Sequence, residues 1–137
     1  MKLIHISKGS KEDITDFVTS VTLSGDYRSA SRTLDFGLIR HMDPNHPKVM
    51  VELGDNIQLF LNNKTLFHGI AWDRSKQSDA KEISLMARDY GIYIIKDRAS
   101  YNFSKITPEA IVQKVCKDFG IEVGNIAITG IQISRKF

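Results

Sequence analysis

One cysteine, Cys116, stands in 137 residues, so no internal disulfide and no cysteine-built zinc site can form. No apolar run approaches the roughly eighteen residues of a membrane-spanning helix. The N-terminus, Met1-Lys2-Leu3-Ile4-His5, turns polar again at Ser7-Lys8, too early for the apolar centre of a signal peptide. An excess of one charge is also missing. There are 19 basic and 16 acidic residues, a net +3, and runs such as Lys11-Glu12-Asp13 mix signs. That balance permits nucleic-acid contact without demanding it. Nine glycines include no G-x-G-x-x-G and no GxxxxGK[ST], which argues against a phosphate-binding loop. Gly-x-Ser-x-Gly and Ser-x-x-Lys are absent too, and the carboxylates Asp13/Asp16 and Asp26/Asp35 are too scattered for glycosidase work. The expectation is a soluble, cytoplasm-made chain with no catalytic residue, cofactor, metal or membrane partner.

What is present is ordinary globular material: 42% hydrophobic and 26% charged residues. A chain of this mass buries about two thirds of its surface on folding, enough for a core without staples.

The first hundred residues read as short strands. Residues 2–7 alternate, and 14–23 form a half-exposed strand carrying Phe17, Val21 and Leu23. In 32–40, Leu34, Phe36 and Leu38 oppose Thr33, Asp35 and Gly37. The segment 41–47 holds two prolines and reads as a loop. A β-meander follows. Ile57, Leu59 and Leu61 share a face; Asn62-Asn63-Lys64 makes a turn; Leu66, His68, Ile70 and Trp72 share the next face. A polar connector, 75–81, leads to Ile83, Leu85 and Ala87. The other face of the meander carries Phe60, Phe67, Ala71 and Met86. Such a face is not a water-facing one, so a helix or another subunit is expected to cover it, with Phe60, Phe67 and Met86 as interface residues.

Residues 89–96 fit a buried strand or a short helix begun by Asp89. A helix from Pro108 to Phe119 is clearer: Thr107 is suited to the N-cap, Pro108 to N1, and Gly120 to the C′ position. Ile111, Val112, Val115, Cys116 and Phe119 form its apolar stripe. The tail, 121–137, has the composition of one strand or two short ones. The domain expectation is a β unit over 1–100, then a helix and strand over 101–137 that open a second domain. The fold class is mainly β (α+β), an antiparallel barrel or sandwich with one clear C-terminal helix.

Chemistry-bearing residues are few. His41-x-Asp43-x-x-His46 has admissible ligand types but lacks a fourth ligand and reads better as a polar turn. His68, beside Ile70 and Trp72, reads as a partly buried histidine with no nucleophile nearby, and Cys116 as packing. Small barrels can bind single-stranded nucleic acid by stacking bases on aromatics beside cations. Phe60, Phe67, Tyr90, Tyr93, Tyr101 and Phe103, with Lys64, Arg74 and Lys96, are the candidates for an OB-like alternative. Core or interface roles suit those aromatics better.

The stretch Ser24-Gly25-Asp26-Tyr27-Arg28-Ser29-Ala30-Ser31-Arg32-Thr33-Leu34-Asp35-Phe36 resembles the XkdQ/YqbQ family. These are baseplate hub proteins of Bacillus-type prophages, akin to the late-control D proteins of contractile phages. The resemblance runs on through Leu53-Gly54-Asp55, Leu66-Phe67-His68-Gly69 and Ala87-Arg88-Asp89. It is densest at Tyr101-Asn102-Phe103, Thr107 to Ile111, Asp118 to Ile121, Val123 to Ile126 and Thr129-Gly130, covering about residues 18–134. It implies a tail-tube-like β-barrel, a non-enzymatic role, a homotrimer, and tube, spike and other baseplate proteins as partners. The implied location is the host cytoplasm during assembly, then the baseplate of a virion or tail-like particle. Family members are much longer, so the chain resembles an N-terminal portion of one.

Overall fold

In the computed structural model the described residues are 1–40, 45, 48–76 and 81–136. The chain divides into two compact units, Met1–Tyr90 and Gly91–Phe137. The division falls ten residues before the boundary expected at 100, because the short helix at Gly91–Lys96 groups with the second unit.

Among the described residues, seven strands of the first unit form one antiparallel sheet: β1 (Lys2–Ser7), β2 (Ser10–Asp13), β3 (Val18–Ser24), β4 (Thr33–Ile39), β5 (Asn56–Leu61), β6 (Lys64–Lys76) and β7 (Glu82–Asp89). Their order is β2-β1-β5-β6-β7-β4-β3. The two edge strands are neighbours in sequence, joined only by Ile14 and a 3-10 turn at Thr15–Phe17. Flat, seven strands would span roughly 29 Å, whereas the step from Asp13 to Val18 reaches at most about 17 Å. The sheet must therefore curl, and its concave face closes on a single core. Leu3, Leu34, Phe36, Ile57, Phe67 and Leu85 lie in that core, with Ile14 and Val51 entering from outside the strands. Each such side chain is worth roughly 1.5–3 kcal/mol of burial.

Two tight hairpins fix the register. Lys8-Gly9 and Asn62-Asn63 both take positive φ, the mirror-image turn that matches strand twist. The β1/β2 hairpin was not legible beforehand, since β2 (Ser-Lys-Glu-Asp) has no apolar residue. The strand expected over 14–23 starts instead at Val18, because the 3-10 turn occupies its first residues.

The meander has the expected strands with the opposite facing in β6. Pairing shifts between Leu59 and Phe60 and again between Ala71 and Asp73, leaving Leu66 and Trp72 as extra residues in bulges. Phe67 and Ala71 consequently point into the core, at 1% and 2% exposure. Phe67 is thus corrected from an interface residue to a core residue. Leu61, past the first bulge, is exposed.

In the second unit, α1 (Gly91–Lys96) precedes a β8 (Asn102–Ile106) and β9 (Ile133–Lys136) pair, and α2 spans Pro108–Asp118. Thr107 has the extended backbone of an N-cap but no capping side-chain bond. The Glu109 carboxylate serves instead, held below its ordinary pKa by its own backbone N–H and then by the Thr129 hydroxyl. At the other end, Ile121 N–H donates to Cys116 O and Gly120 N–H to Lys117 O, with Gly120 at φ 67°. This is the Schellman closure that the glycine signalled. No residue of α2 is buried.

Candidate interface surfaces

The outer face of the curled sheet carries two of the residues expected at an interface. Phe60 and Met86 both lie there, half-buried. Around Met86 the register is informative: Asp73 and Asp35 stand directly opposite it on the two flanking strands, and Thr22 lies beyond Asp35. A methionine is therefore bracketed by two carboxylates at cross-strand contact distance. Along the sheet, Ser75, Ser84, Gly37 and Ser20 form the next row. The space over Gly37 is taken by the side chains of Glu82 and Thr19, whose Oε1 and Oγ1 atoms a Cβ there would overlap. These rows line a shallow groove of about 240 Å³ with carboxylates Asp35, Asp73 and Glu82 on its walls. Phe60 borders a second groove with Ile4, Gln58 and the Lys2–Asp13 ion pair (3.3 Å).

Sequence reading named Met86 but not its acidic surroundings. The available signal was Gly37 inside an otherwise regular strand, a position where something approaches closely.

Inside the sheet, His5 is 5% exposed and its Nε2 lies 2.8 Å from Asp55 Oδ2. Burial alone would raise the Asp55 pKa. Hydrogen bonds from His5, the Glu52 N–H and Ser7 outweigh it and hold the carboxyl below its ordinary range. The pair ties β1 to the segment before β5. His68 is exposed, not partly buried as expected, because the β6 bulge turns it outward. Its ring meets Tyr90 edge-on at 5.2 Å, and the Tyr90 hydroxyl also donates to Asn56 Oδ1.

His41, Asp43 and His46 lie outside the described residues. Among the described residues no cluster of His, Cys, Asp and Glu is arranged to hold a metal ion. Cys116 is half-buried on α2. The aromatics considered for nucleic-acid stacking are divided between the two units. Phe67 is core, Phe103 is buried and stacked on Tyr101 at 5.3 Å, and Arg74 is turned to the Val51 carbonyl. No helix among the described residues is long and apolar enough to cross a membrane.

A solved 43 kDa tail protein of prophage MuSo2 from Shewanella oneidensis superposes on 89% of this chain and 40% of its own, with TM-score 0.65 and 17% identity. The mainly β, antiparallel architecture is therefore a fold found in phage tail proteins. Sequence then defines the family: the YqbQ-like profile matches residues 21–137, and the chain belongs to that family. Two curated relatives come from Bacillus subtilis (strain 168). YqbQ is 29% identical over 114 residues, covering 83% of this chain and 34% of the relative. XkdQ of the phage-like element PBSX is 28% identical over 111 residues, covering 81% and 33%. The chain spans about a third of the length of these relatives.

Proposed function

We propose that this chain is a structural, non-enzymatic component of a phage tail or tail-like particle, acting in the baseplate hub between tail tube and spike. The observation that carries the reading is the family match over residues 21–137, joined to a relative named for a phage-like element. The tail-protein fold of the MuSo2 neighbour agrees with it. In this role the work is done by interface area and symmetry rather than by bond chemistry. The chain assembles as a homotrimer, with Phe60 and Met86 of the outer face at subunit contacts. It is placed in the host cytoplasm during assembly and afterwards in the particle's baseplate.

Light scattering behind a sizing column tests the assembly. A mass three times 15.5 kDa is expected, and a monomer at every workable concentration removes the trimer. Immunogold labelling of purified tail particles tests the location: label at the baseplate end supports the hub, and label along the tube or none overturns it.

A further inference from the structure

We infer that Tyr27 and Arg28 of one copy form an anchor that docks into the Met86 groove of a second copy. The inference rests on the oligomeric reading above and names the two surfaces that make the contact.

The anchor sits on the loop between β3 and β4. Asp26 Oδ1 accepts the Arg28 N–H at 2.9 Å and its carbonyl accepts the Ser29 N–H at 2.9 Å, so the loop is turned by its own hydrogen bonds. Arg28 lies over the Tyr27 ring, 5.1 Å from the centroid, and its Nε donates to the Tyr27 hydroxyl at 2.9 Å. Tyr27 is nonetheless 90% exposed. A tyrosine and an arginine, already ordered and presented to solvent, are the chemistry that dominates binding hot spots. Their prior ordering reduces the entropy lost on docking.

The groove is complementary. Met86 lines it beside Phe36 and Leu85, and a thioether packs well against an aromatic ring. Its walls hold Asp35, Asp73 and Glu82, and no cationic side chain lines it among the described residues. These carboxylates suit a guanidinium through charge-assisted hydrogen bonds. At about 240 Å³ it suits one side chain better than a drug-sized ligand, which takes roughly 300–1,000 Å³. The exposure of Tyr27 shows that the anchor is not in its own groove. Each copy therefore offers one anchor and one groove, which makes the contact heterologous and closes a ring where the rotation between copies allows it.

The test is solution mass, by light scattering, of the wild-type chain and three variants: Tyr27→Ala, Arg28→Glu, and Arg28→Glu combined with Asp35→Arg and Asp73→Arg. All altered positions are exposed, and far-UV circular dichroism checks that each variant is folded. The expected result is an assembled wild type, monomeric single variants, and recovery of the assembled mass in the charge-swapped variant. An assembled wild type that both single variants leave unchanged overturns the anchor while sparing the oligomer. Failure of the swap to restore mass overturns the groove assignment. A wild type that stays monomeric overturns both the contact and the trimer.

Discussion

The His5 imidazole and the Asp55 carboxylate, fifty residues apart in sequence, meet at 2.8 Å on the concave side of the sheet. Asp55 also accepts the Glu52 N–H at 3.0 Å, so one side chain links β1 to the turn that launches β5.

Replacing Asp55 by Asn is expected to cost about 1–3 kcal/mol at neutral pH, because the buried His5 loses its carboxylate hydrogen-bond partner. The pH dependence has a definite sign. A carboxyl with a lowered folded pKa contributes fully above its unfolded value, about 3.9, and loses that contribution as pH falls through the folded value. Thermal melts across the acid range should therefore show a shallower decline for Asp55→Asn than for the wild type.

Gly69 has no room for a side chain. A Cβ would stand 2.2 Å from the Arg88 carbonyl oxygen, a backbone atom that cannot swing aside. Gly69→Ala should cost about 1–3 kcal/mol or more through overpacking, read as a lowered urea midpoint.

Phe67 and Phe60 should separate cleanly. Phe67→Ala opens a cavity in the core and is expected to cost about 3–5 kcal/mol. Phe60→Ala should cost about 1 kcal/mol or less in the monomer, and its effect should appear in the solution mass instead. A Phe60→Ala variant that keeps the assembled mass excludes that residue from the interface.

Asn62 and Asn63 hold φ of 50° and 61°. Asn63→Gly relieves the second of these and completes the preferred Asn-Gly turn, so it should stabilise by about 0.5–1 kcal/mol. Thermal unfolding measures this directly.

Much of this fold was legible because alternation and punctuation are local. Leu34, Phe36 and Leu38 announced β4, and Pro108 and Gly120 bounded α2 almost to the residue. Phe67 was misplaced because a bulge inserts one residue and reverses every side chain after it, and no residue type marks Leu66 as the extra one. β2 was invisible because a fully exposed edge strand needs no apolar residues. The Met86 groove was half legible. Met86 stood out as apolar on an outer face, but Asp35 and Asp73 lie on strands whose register only the fold supplies. The Tyr27–Arg28 pair had no periodicity to announce it.

The strand order also governs how the chain reaches its fold. The central strands, β5, β6 and β7, are the latest in sequence, while the two N-terminal hairpins flank them on opposite sides. β1 finds its partner in β5, and β4 finds its partner in β7, each some fifty residues downstream. A ribosome therefore releases both flanks before their template exists. The meander joins strands adjacent in sequence, whereas β1 and β4 reach its two sides through long chain closures. Such non-local pairing places folding in the slow range of single domains, roughly milliseconds to seconds. During synthesis, β1 has no neighbour on its meander side until β5 is made, ending at Leu61, and β4 has none until β7 is made, ending at Asp89.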